Sequence, residues 1–261
     1  MASRALIRLG TQLWFPAAVV LGWAALSALS ANPFLPTPAE VAIRLAQVLS
    51  ISWIQSTVLP TLTTIVVGYS IGVTSALVAG IIIGGTPTLN ALLTPLVVLI
   101  RSTPSAAKVP VVMAVVGIGR DAILAAVVIA VSFQMMLVVI RAIETTRREY
   151  LDVARLERFS WRETLAVVRI PAATGELLTG FYLSFQIALL VTVVSEILGS
   201  SDGLGLFILT AMGTFRIVDV WVGVIVLGSI GFAAHEAFGF IERRSVRWYH
   251  QWKGRQTPWL Q

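Results

Sequence analysis

The stretch EYLDVARLERFSWRETLAVVRIP, Glu149–Pro171, is a charged segment inside a very apolar chain. Long hydrophobic runs stand on both sides of it, and few charged residues interrupt those runs. A hydrophobic run of about 20 residues is long enough to cross the ~30 Å hydrocarbon core of a bilayer as a helix. The stretch therefore predicts an all-α integral membrane protein in which a polar segment separates two groups of membrane spans.

Two capping patterns predict short helices around this segment. They are TRRE at 146–149 and SWRE at 160–163. In such a box the hydroxyl accepts a hydrogen bond from the third amide of the helix, and the carboxylate accepts one from the amide of the capping residue. We therefore predict helices over about 147–158 and 161–169.

The first of these helices is amphipathic, and the second is predicted to end near Pro171, because proline disfavours the helical conformation of the residue before it. An amphipathic surface helix has one apolar side that another surface covers. That surface is either a partner protein or the chain's own membrane domain, and the residues alone leave both interpretations open. The apolar side consists of Tyr150, Val153, Ala154 and Leu156, and the polar side of Arg148, Asp152 and Arg155.

The composition indicates a protein that crosses the membrane several times. The 261 residues are 57% hydrophobic and 12% charged, and the mean hydropathy is +0.87. The net charge of +6 would suggest a nucleic-acid partner in a soluble protein. In a membrane protein, basic residues collect in cytoplasmic segments, so we expect a lipid bilayer and no nucleic acid as the partner. The absence of cysteine excludes disulfides, thiol nucleophiles and thiolate metal sites.

We predict a single membrane domain, 1–261, with six transmembrane helices and both termini cytoplasmic. The basic residues support this topology, because most lie before the first span, in the central polar segment or in the tail. Pro104 and Pro110 are predicted to break the third span, and residues 39–53 to form an amphipathic helix at the outer interface. The predicted spans are 13–29, 61–83, 89–118, 122–140, 177–198 and 218–241, with a cytoplasmic loop at 141–176 and a basic, tryptophan-rich cytoplasmic tail at 242–261.

Three runs of the sequence resemble ABC importer permeases of the binding-protein-dependent type. The central segment is similar to their EAA loop, through Val153-Ala154-Arg155, Ser160 and Ile170-Pro171. The run EILGSSDGLG, 196–205, and the run NPFLPTPAEV, 32–41, resemble motifs of the taurine, alkanesulfonate and nitrate branch of that family. The resemblance covers most of the chain. It implies a fold like that of type I ABC importer permeases.

The same resemblance implies that the loop couples the chain to an ATPase. Ala154 is the small residue that the motif places at the closest approach to that partner. The family has a glycine where this chain has Arg158. Glycine adopts a left-handed turn without cost and arginine does not, so either the loop is bent differently or its ATPase is matched to it. The coupling residues implied are Val153, Ala154, Arg155, Arg158, Phe159, Ser160 and Pro171.

Polar residues inside the predicted spans are the candidates for a translocation pathway, because a charge in the bilayer usually faces a cavity or a partner. The candidates are Arg101, Lys108, Ser132, Gln134 and Glu196.

Each of these candidates also has a structural interpretation, and for Lys108 it is that of a snorkelling or paired structural residue. Arg101 either lines the pathway, snorkels to the interface or pairs with a carboxylate such as Glu196. Ser132 and Gln134 are equally well explained as hydrogen bonds between helices. For Glu196 a structural or gating role is favoured over contact with solute. His235-Glu236 is explained by helix packing, and no metal site is predicted there.

The chain contains no G-x-x-x-x-G-K-[ST] run, so we expect no catalysis and no cofactor on this chain, with ATP and Mg²⁺ held by a separate ATPase. The resemblance implies two ATPase subunits, a second copy of this permease and an extracytoplasmic substrate-binding protein. It also implies the plasma (inner) membrane of a prokaryote. The expected solute is a small anion such as a sulfonate, taurine or nitrate. The alternatives are a neutral solute of the vitamin-precursor type and, less favoured, an ion-coupled secondary transporter.

Overall fold

The computed structural model describes residues 2–30 and 32–245, with the side chains of 14–30 and 32–244, and the regular elements in this part are helices. The predicted tail falls mostly on residues 246–261, which lie outside the described part. Two π-helical turns, Ile54–Val58 and Thr164–Arg169, join α3 to α4 and α9 to α10. The α-helices are α1 (Ala2–Ser30), α2 (Pro38–Val48), α3 (Ile51–Trp53), α4 (Leu59–Gly85), α5 (Pro87–Ser102), α6 (Ser105–Val116), α7 (Arg120–Glu144), α8 (Arg148–Leu156), α9 (Trp161–Glu163), α10 (Ile170–Gly199), α11 (Leu204–Gly213) and α12 (Ile217–Ser245).

Four continuous helical stretches are long and apolar enough to cross a membrane, and a bent pair of helices makes a fifth. The bent pair is α5 and α6, whose axes meet at 99°. A shorter apolar helix, Trp14–Ser30, precedes them within α1. The four continuous stretches are Ile51–Gly85, Arg120–Glu144, Trp161–Gly199 and Ile217–Arg244.

The break in the third predicted span is confirmed at one of its two prolines. α5 ends at Ser102 and α6 begins at Ser105, on either side of Pro104. The prediction of a second break is wrong, since Pro110 lies inside α6. Pro110 removes only the one N–H that would bond to the Ala106 carbonyl, and membrane helices tolerate such a loss.

The predicted amphipathic helix at 39–53 is shorter than expected. α2 ends at Val48, and the Ser50 hydroxyl then accepts a hydrogen bond from the Trp53 amide, which starts a new helix. That new helix continues through a π-turn into α4. Residues 51–53 therefore belong to the long apolar stretch Ile51–Gly85.

The core is built on close contact between α4 and α7, which form the most extensive helix pair in the molecule. Small residues recur every four positions along α4 and face α7. A Cβ at Gly72 would lie 2.7 Å from Val131, and one at Gly80 would lie 2.7 Å from Val139. Only glycine allows the two backbones to approach so closely, which is a common packing mode of membrane helices. The repeat consists of Gly68, Gly72, Ala76, Gly80 and Gly84.

One of the two predicted capping boxes is confirmed. The Ser160 hydroxyl accepts from the Glu163 amide at 3.3 Å, and the Glu163 carboxylate accepts from the Ser160 amide at 2.8 Å. The prediction of a capping box at Thr146 is wrong. Its hydroxyl donates back to the Ile143 carbonyl at 3.2 Å, because Thr146 is buried at the end of α7, and α8 begins without a side-chain cap.

The predicted end of the second loop helix near Pro171 is also wrong. The helix widens into the π-turn Thr164–Arg169, where the Ile170 N–H donates to the Leu165 carbonyl, and then runs on as α10. Proline is tolerated in the first turn of a helix, because the N–H that it lacks has no partner to lose there. The π-turn creates that position for Pro171. The loop is thus joined to the membrane by one continuous helix.

Candidate functional site

The loop between α8 and α9 turns on Arg158, which has a φ of 55°. The Arg158 amide donates to the Arg155 carbonyl at 3.1 Å, and the Phe159 amide donates to the Ala154 carbonyl at 2.9 Å. This pair of bonds is a Schellman motif, whose left-handed position is usually glycine. Arg158 therefore keeps the left-handed turn that glycine would provide, and the alternative that the loop is bent differently is wrong.

We expect Arg158→Gly to stabilise this turn, since the left-handed conformation costs a residue with a Cβ about 1–2 kcal/mol. Hydrogen exchange of the Phe159 amide should slow about fivefold to thirtyfold if the amide exchanges through local opening of the turn. Arg155→Gly is the matched control, because it removes an exposed arginine from the helix interior, where glycine destabilises by about 1 kcal/mol. Faster exchange in both variants would contradict the strain at Arg158.

The packing of α8 corrects the expected position of Ala154. Its side chain is only 2% exposed, because the chain itself covers it, so it is not the point of closest approach to a partner. Val153 and Leu156 instead point away from the chain and are 57% and 82% exposed. Tyr150 lies beside them at helical spacing and is partly exposed. We call Tyr150, Val153 and Leu156 the outward patch of α8.

Trp161 fixes the loop to the membrane domain. Its indole packs against the backbone at the end of α4, where a Cβ on Gly85 would lie 2.9 Å from the indole. Arg155 is highly exposed and pairs with Asp152 at 3.0 Å on the same helix. An exposed pair of this kind contributes at most about 1 kcal/mol, and it lies within α8, so it does not join the loop to the membrane domain.

Of the pathway candidates, three hydrogen-bond between helices. The Arg101 Nε donates to the Gln134 Oε1 at 2.9 Å, which joins α5 to α7, and Arg101 is exposed. Ser132 is buried and lies 2.8 Å from the Ser75 hydroxyl, between α7 and α4. Arg101 does not pair with Glu196, whose partners lie elsewhere. A pathway role for these three residues stays a prediction.

Lys108 lies on α6, just beyond the bend from α5, and is half-buried. Among the side chains that the structure describes, no carboxylate lies within 4.0 Å of its ammonium group. The bend places Lys108 and Arg101 on the two arms of the broken span. A cation without a carboxylate, next to broken backbone, fits a surface that water or solute reaches.

Glu196 is enclosed by its own chain and is 3% exposed. Its Oε2 accepts the Gly205 N–H at 2.8 Å and the Thr61 hydroxyl at 3.0 Å, while Thr61 accepts the Leu204 N–H at 2.8 Å. Two free amides at the start of α11 are thus capped from α10 and α4. A Cβ on Gly205 would lie 2.6 Å from Glu196, so the cap also requires glycine there. This burial favours a structural role for Glu196 over contact with solute.

Glu196→Ala is expected to loosen α11, because it leaves the buried Gly205 amide without an acceptor at a cost of about 1–3 kcal/mol. Hydrogen exchange at Leu204 and Gly205 should become at least tenfold faster, while exchange in α7 stays unchanged. Glu196→Gln is the matched control, since its amide oxygen can still accept from Gly205. Equal protection in the alanine and glutamine variants would contradict the cap.

In the first turn of α12, Asp219 pairs with two arginines, one on α2 and one in the turn before α12. The buried Asp219 carboxylate lies 2.6 Å from the Arg44 Nε of α2 and 3.3 Å from the Arg216 guanidinium. The hydrogen bond to Asp219 raises the pKa of Arg44 above its usual value. These residues line a groove of about 730 Å³ between α2 and the turn before α12. No local sequence pattern pairs Arg44 with Asp219, because 175 positions separate them.

The loop that forms one wall of this groove is held by tryptophans. Trp23 donates its indole N–H to the Pro36 carbonyl at 3.0 Å, and Trp221 donates to the Phe34 carbonyl at 3.2 Å. The two indoles stack with their centroids 5.0 Å apart. The wall of the groove is therefore fixed before any partner binds. We call this feature the Asp219 groove.

Within the described residues, no group of three His, Cys, Asp or Glu side chains is arranged to hold a metal ion.

The sequence model of a family described as "Binding-protein-dependent transport system inner membrane component" matches residues 76–247. A relative described as the aliphatic sulfonates transport permease SsuC of Bacillus subtilis is 24% identical over 93% of this chain and 88% of its own length. The taurine transport system permease protein TauC of Escherichia coli is 24% identical over 83% of this chain and 80% of its own length. The bicarbonate transport system permease protein CmpB of Synechococcus elongatus is 27% identical over 73% of this chain and 66% of its own length.

A solved structure of the MetNI methionine ABC transporter in an inward-facing conformation shares the fold. The TM-score is 0.64 at 16% identity, and the match covers 75% of this chain and 99% of the other.

Proposed function

The chain belongs to the family of binding-protein-dependent transport system inner membrane components, and from this premise we propose that it imports a small anion as part of an ATP-driven complex. The chain is a multi-pass protein of the inner membrane and a permease subunit of the ABC importer type. It is accordingly a transport component rather than an enzyme.

In the proposed topology the chain crosses the membrane six times and both ends are cytoplasmic. α1 supplies the first span in addition to the four continuous stretches and the bent pair α5–α6. The loop from Arg141 to Glu176 then lies in the cytoplasm, where its arginines agree with the positive-inside rule. The Asp219 groove lies on the outer side.

In the proposed assembly two copies of this chain bind two ATPase subunits, which hold ATP and Mg²⁺, and one extracytoplasmic binding protein. The observation that carries the proposal is the outward patch of α8, an exposed apolar surface on a short helix that is rigidly capped by the Arg158 turn. Amphipathic helices dock into grooves of partner proteins through anchors at this spacing. The Asp219 groove, with its fixed wall, is the surface we assign to the binding protein.

The proposed solute is an oxyanion of low mass. Relatives of this chain are named for sulfonates, taurine, bicarbonate and nitrate, which share oxygen-rich anionic groups. Arg101 and Lys108 provide cationic groups at the broken span. A basic lining raises the local concentration of anions in a narrow path.

Purification of the tagged chain from membranes, with identification of any ATPase and binding protein that copurify, tests the assembly. We expect two permeases and two ATPases in the complex. The binding protein is loaded in turn with taurine, nitrate and bicarbonate, and we expect ATP hydrolysis to be stimulated by the form that carries the imported anion. A stable, active complex with a single copy of this chain would contradict the proposal, as would an isolated chain that transports without any ATPase.

Lys108→Ala is expected to lower uptake of the imported anion about twofold to fivefold at limiting concentration, because an ammonium facing a water-filled pathway contributes about 0.5–1 kcal/mol to a weakly bound anion. Lys108→Arg is the control that keeps the charge. Uptake should be measured at matched amounts of assembled complex. Unchanged uptake in the alanine variant would show that Lys108 snorkels to the interface instead.

A further inference from the structure

One face of α10 is exposed along most of its length. The exposed positions recur at intervals of three and four residues, as they do on a single side of a helix. The opposite side packs on α7, through residues such as Gly180 and Ala188. We call the exposed side the open face of α10; it consists of Ala172, Glu176, Thr179, Leu183, Gln186 and Leu190.

A chain of hydrogen bonds borders this face and links it to α12. The Gln186 amide lies 2.8 Å from the Tyr182 hydroxyl, and that hydroxyl lies 3.0 Å from the His235 Nδ1. The amide nitrogen of Gln186 can only donate, so the Tyr182 hydroxyl accepts from Gln186 and its own proton is left for the His235 Nδ1. Within the part of the chain that the structure describes, the Gln186 Oε1 and the His235 Nε2 have no further partner. The Tyr182 hydroxyl therefore holds the Gln186 amide and the His235 imidazole in place. Each of them keeps one atom, the Gln186 Oε1 and the His235 Nε2, that can hydrogen-bond to another molecule.

The depth of Gln186 excludes lipid as its neighbour. It lies nine residues beyond Leu177, the predicted start of its span, which is about 13 Å along a helix axis. That is close to the middle of a hydrocarbon core about 30 Å thick. Leaving the Gln186 Oε1 without a partner in hydrocarbon would cost part of the roughly 4–8 kcal/mol that a wholly unpaired amide costs in a medium that cannot form hydrogen bonds. Gln186 must therefore face water or polar groups.

We infer that the open face of α10 lines the translocation pathway and that Gln186 contacts the solute there, positioned by Tyr182 and His235. This inference rests on the proposed function and adds residues of α10 to the pathway beside the charged candidates. A neutral amide donates N–H groups to an oxyanion without the strong attraction of a cation. The solute is bound and released at this depth, whereas Lys108 and Arg101 attract it electrostatically.

The absence of cysteine in the chain makes a direct test clean, since Gln186→Cys introduces its only thiol. The full chain is expressed in membrane vesicles and treated on both sides with a negatively charged methanethiosulfonate. This reagent reacts with thiolates, which form in water and not in lipid. The control is Leu21→Cys, at the middle of the first predicted span and 69% exposed on α1.

We expect modification of Gln186→Cys to be at least tenfold faster than that of Leu21→Cys. Thr179→Cys, on the same face, should react at a rate within a few-fold of Gln186→Cys, and it serves as the second site if Gln186→Cys does not accumulate. Equal, slow rates at Gln186 and Leu21 would overturn the inference. A disulfide between two copies at Gln186 without modification would also overturn it, because it would show a closed contact with a second permease.

The outcome is independent of the test of the proposed function. Labelling is read on this chain itself, whether or not an ATPase purifies with it. Loss of the ATPase would contradict the importer assembly, whereas a protected Gln186 thiol in an intact, ATP-hydrolysing complex would contradict only the lining of the pathway.

Discussion

Replacing Val153 and Leu156 by glutamate is expected to abolish ATP-driven uptake while the chain still inserts and folds. Both side chains point away from the chain in the outward patch of α8, so the change leaves the chain's own packing intact. Each central apolar anchor of an interface contributes about 2 kcal/mol or more, and loss of both weakens association about a thousandfold. Co-purification of the ATPase with the tagged variant, and uptake in cells, provide the measurement.

Two further variants show whether the effect belongs to the patch. Val153→Ile with Leu156→Met keeps the apolar surface and should retain ATPase binding. Ala154→Trp should fail in a different way. Because Ala154 is buried by its own chain, a large side chain there overfills the loop, typically at a cost of about 1–3 kcal/mol, and faster hydrogen exchange in α8 should accompany any loss of ATPase. Normal uptake with the double glutamate variant would refute coupling through α8.

Gly80→Leu is expected to prevent accumulation of the folded chain. A Cβ at Gly80 would lie 2.7 Å from Val139 and 3.2 Å from the Met136 carbonyl, so the leucine forces α4 and α7 apart. Overpacking of a core costs about 1–3 kcal/mol for each small insertion, and here it also separates the closest pair of helices in the fold. The amount of monodisperse protein after detergent extraction measures the effect.

Gly228→Leu is the matched control, because Gly228 also lies in a long apolar helix and, among the described residues, no atom outside the backbone of that helix lies within 4 Å of a Cβ placed there. The control separates the loss of close packing from the general effect of an extra apolar side chain in a membrane helix. Equal yields of the two variants would mean that α4 and α7 adjust without loss, and that the glycine repeat is not required.

The features that sequence predicted correctly are those set by neighbouring residues. The break at Pro104 and the capping box at Ser160 each depend on a few consecutive positions, and both are present. The repeat of small residues in α4 was not predicted, although it is equally local and is typical of tightly packed membrane helices.

The features that sequence missed depend on distant parts of the chain. Glu196 caps α11 together with Thr61, from which it is separated by 135 positions, and no local pattern contains that pair. Ala154 and Val153 are neighbours on an amphipathic helix, and only the packing of the loop shows that one is covered and the other is exposed. Pro171 was expected to end a helix, because proline disfavours the helical conformation of the residue before it. The π-turn that places Pro171 in the first turn of α10 was not predicted.

The unbroken helix from Trp161 to Gly199 spans 39 residues and has mechanical consequences. At 1.5 Å per residue it is a rod almost 60 Å long. One end of this helix carries the loop, and near its other end Glu196 accepts a hydrogen bond from the Gly205 amide at the start of α11. In the proposed assembly, a tilt that the ATPase imposes on the loop is expected to be transmitted along α10 as a displacement of α11. This transmission would run through the helix backbone and would not require a network of side chains between the loop and α11.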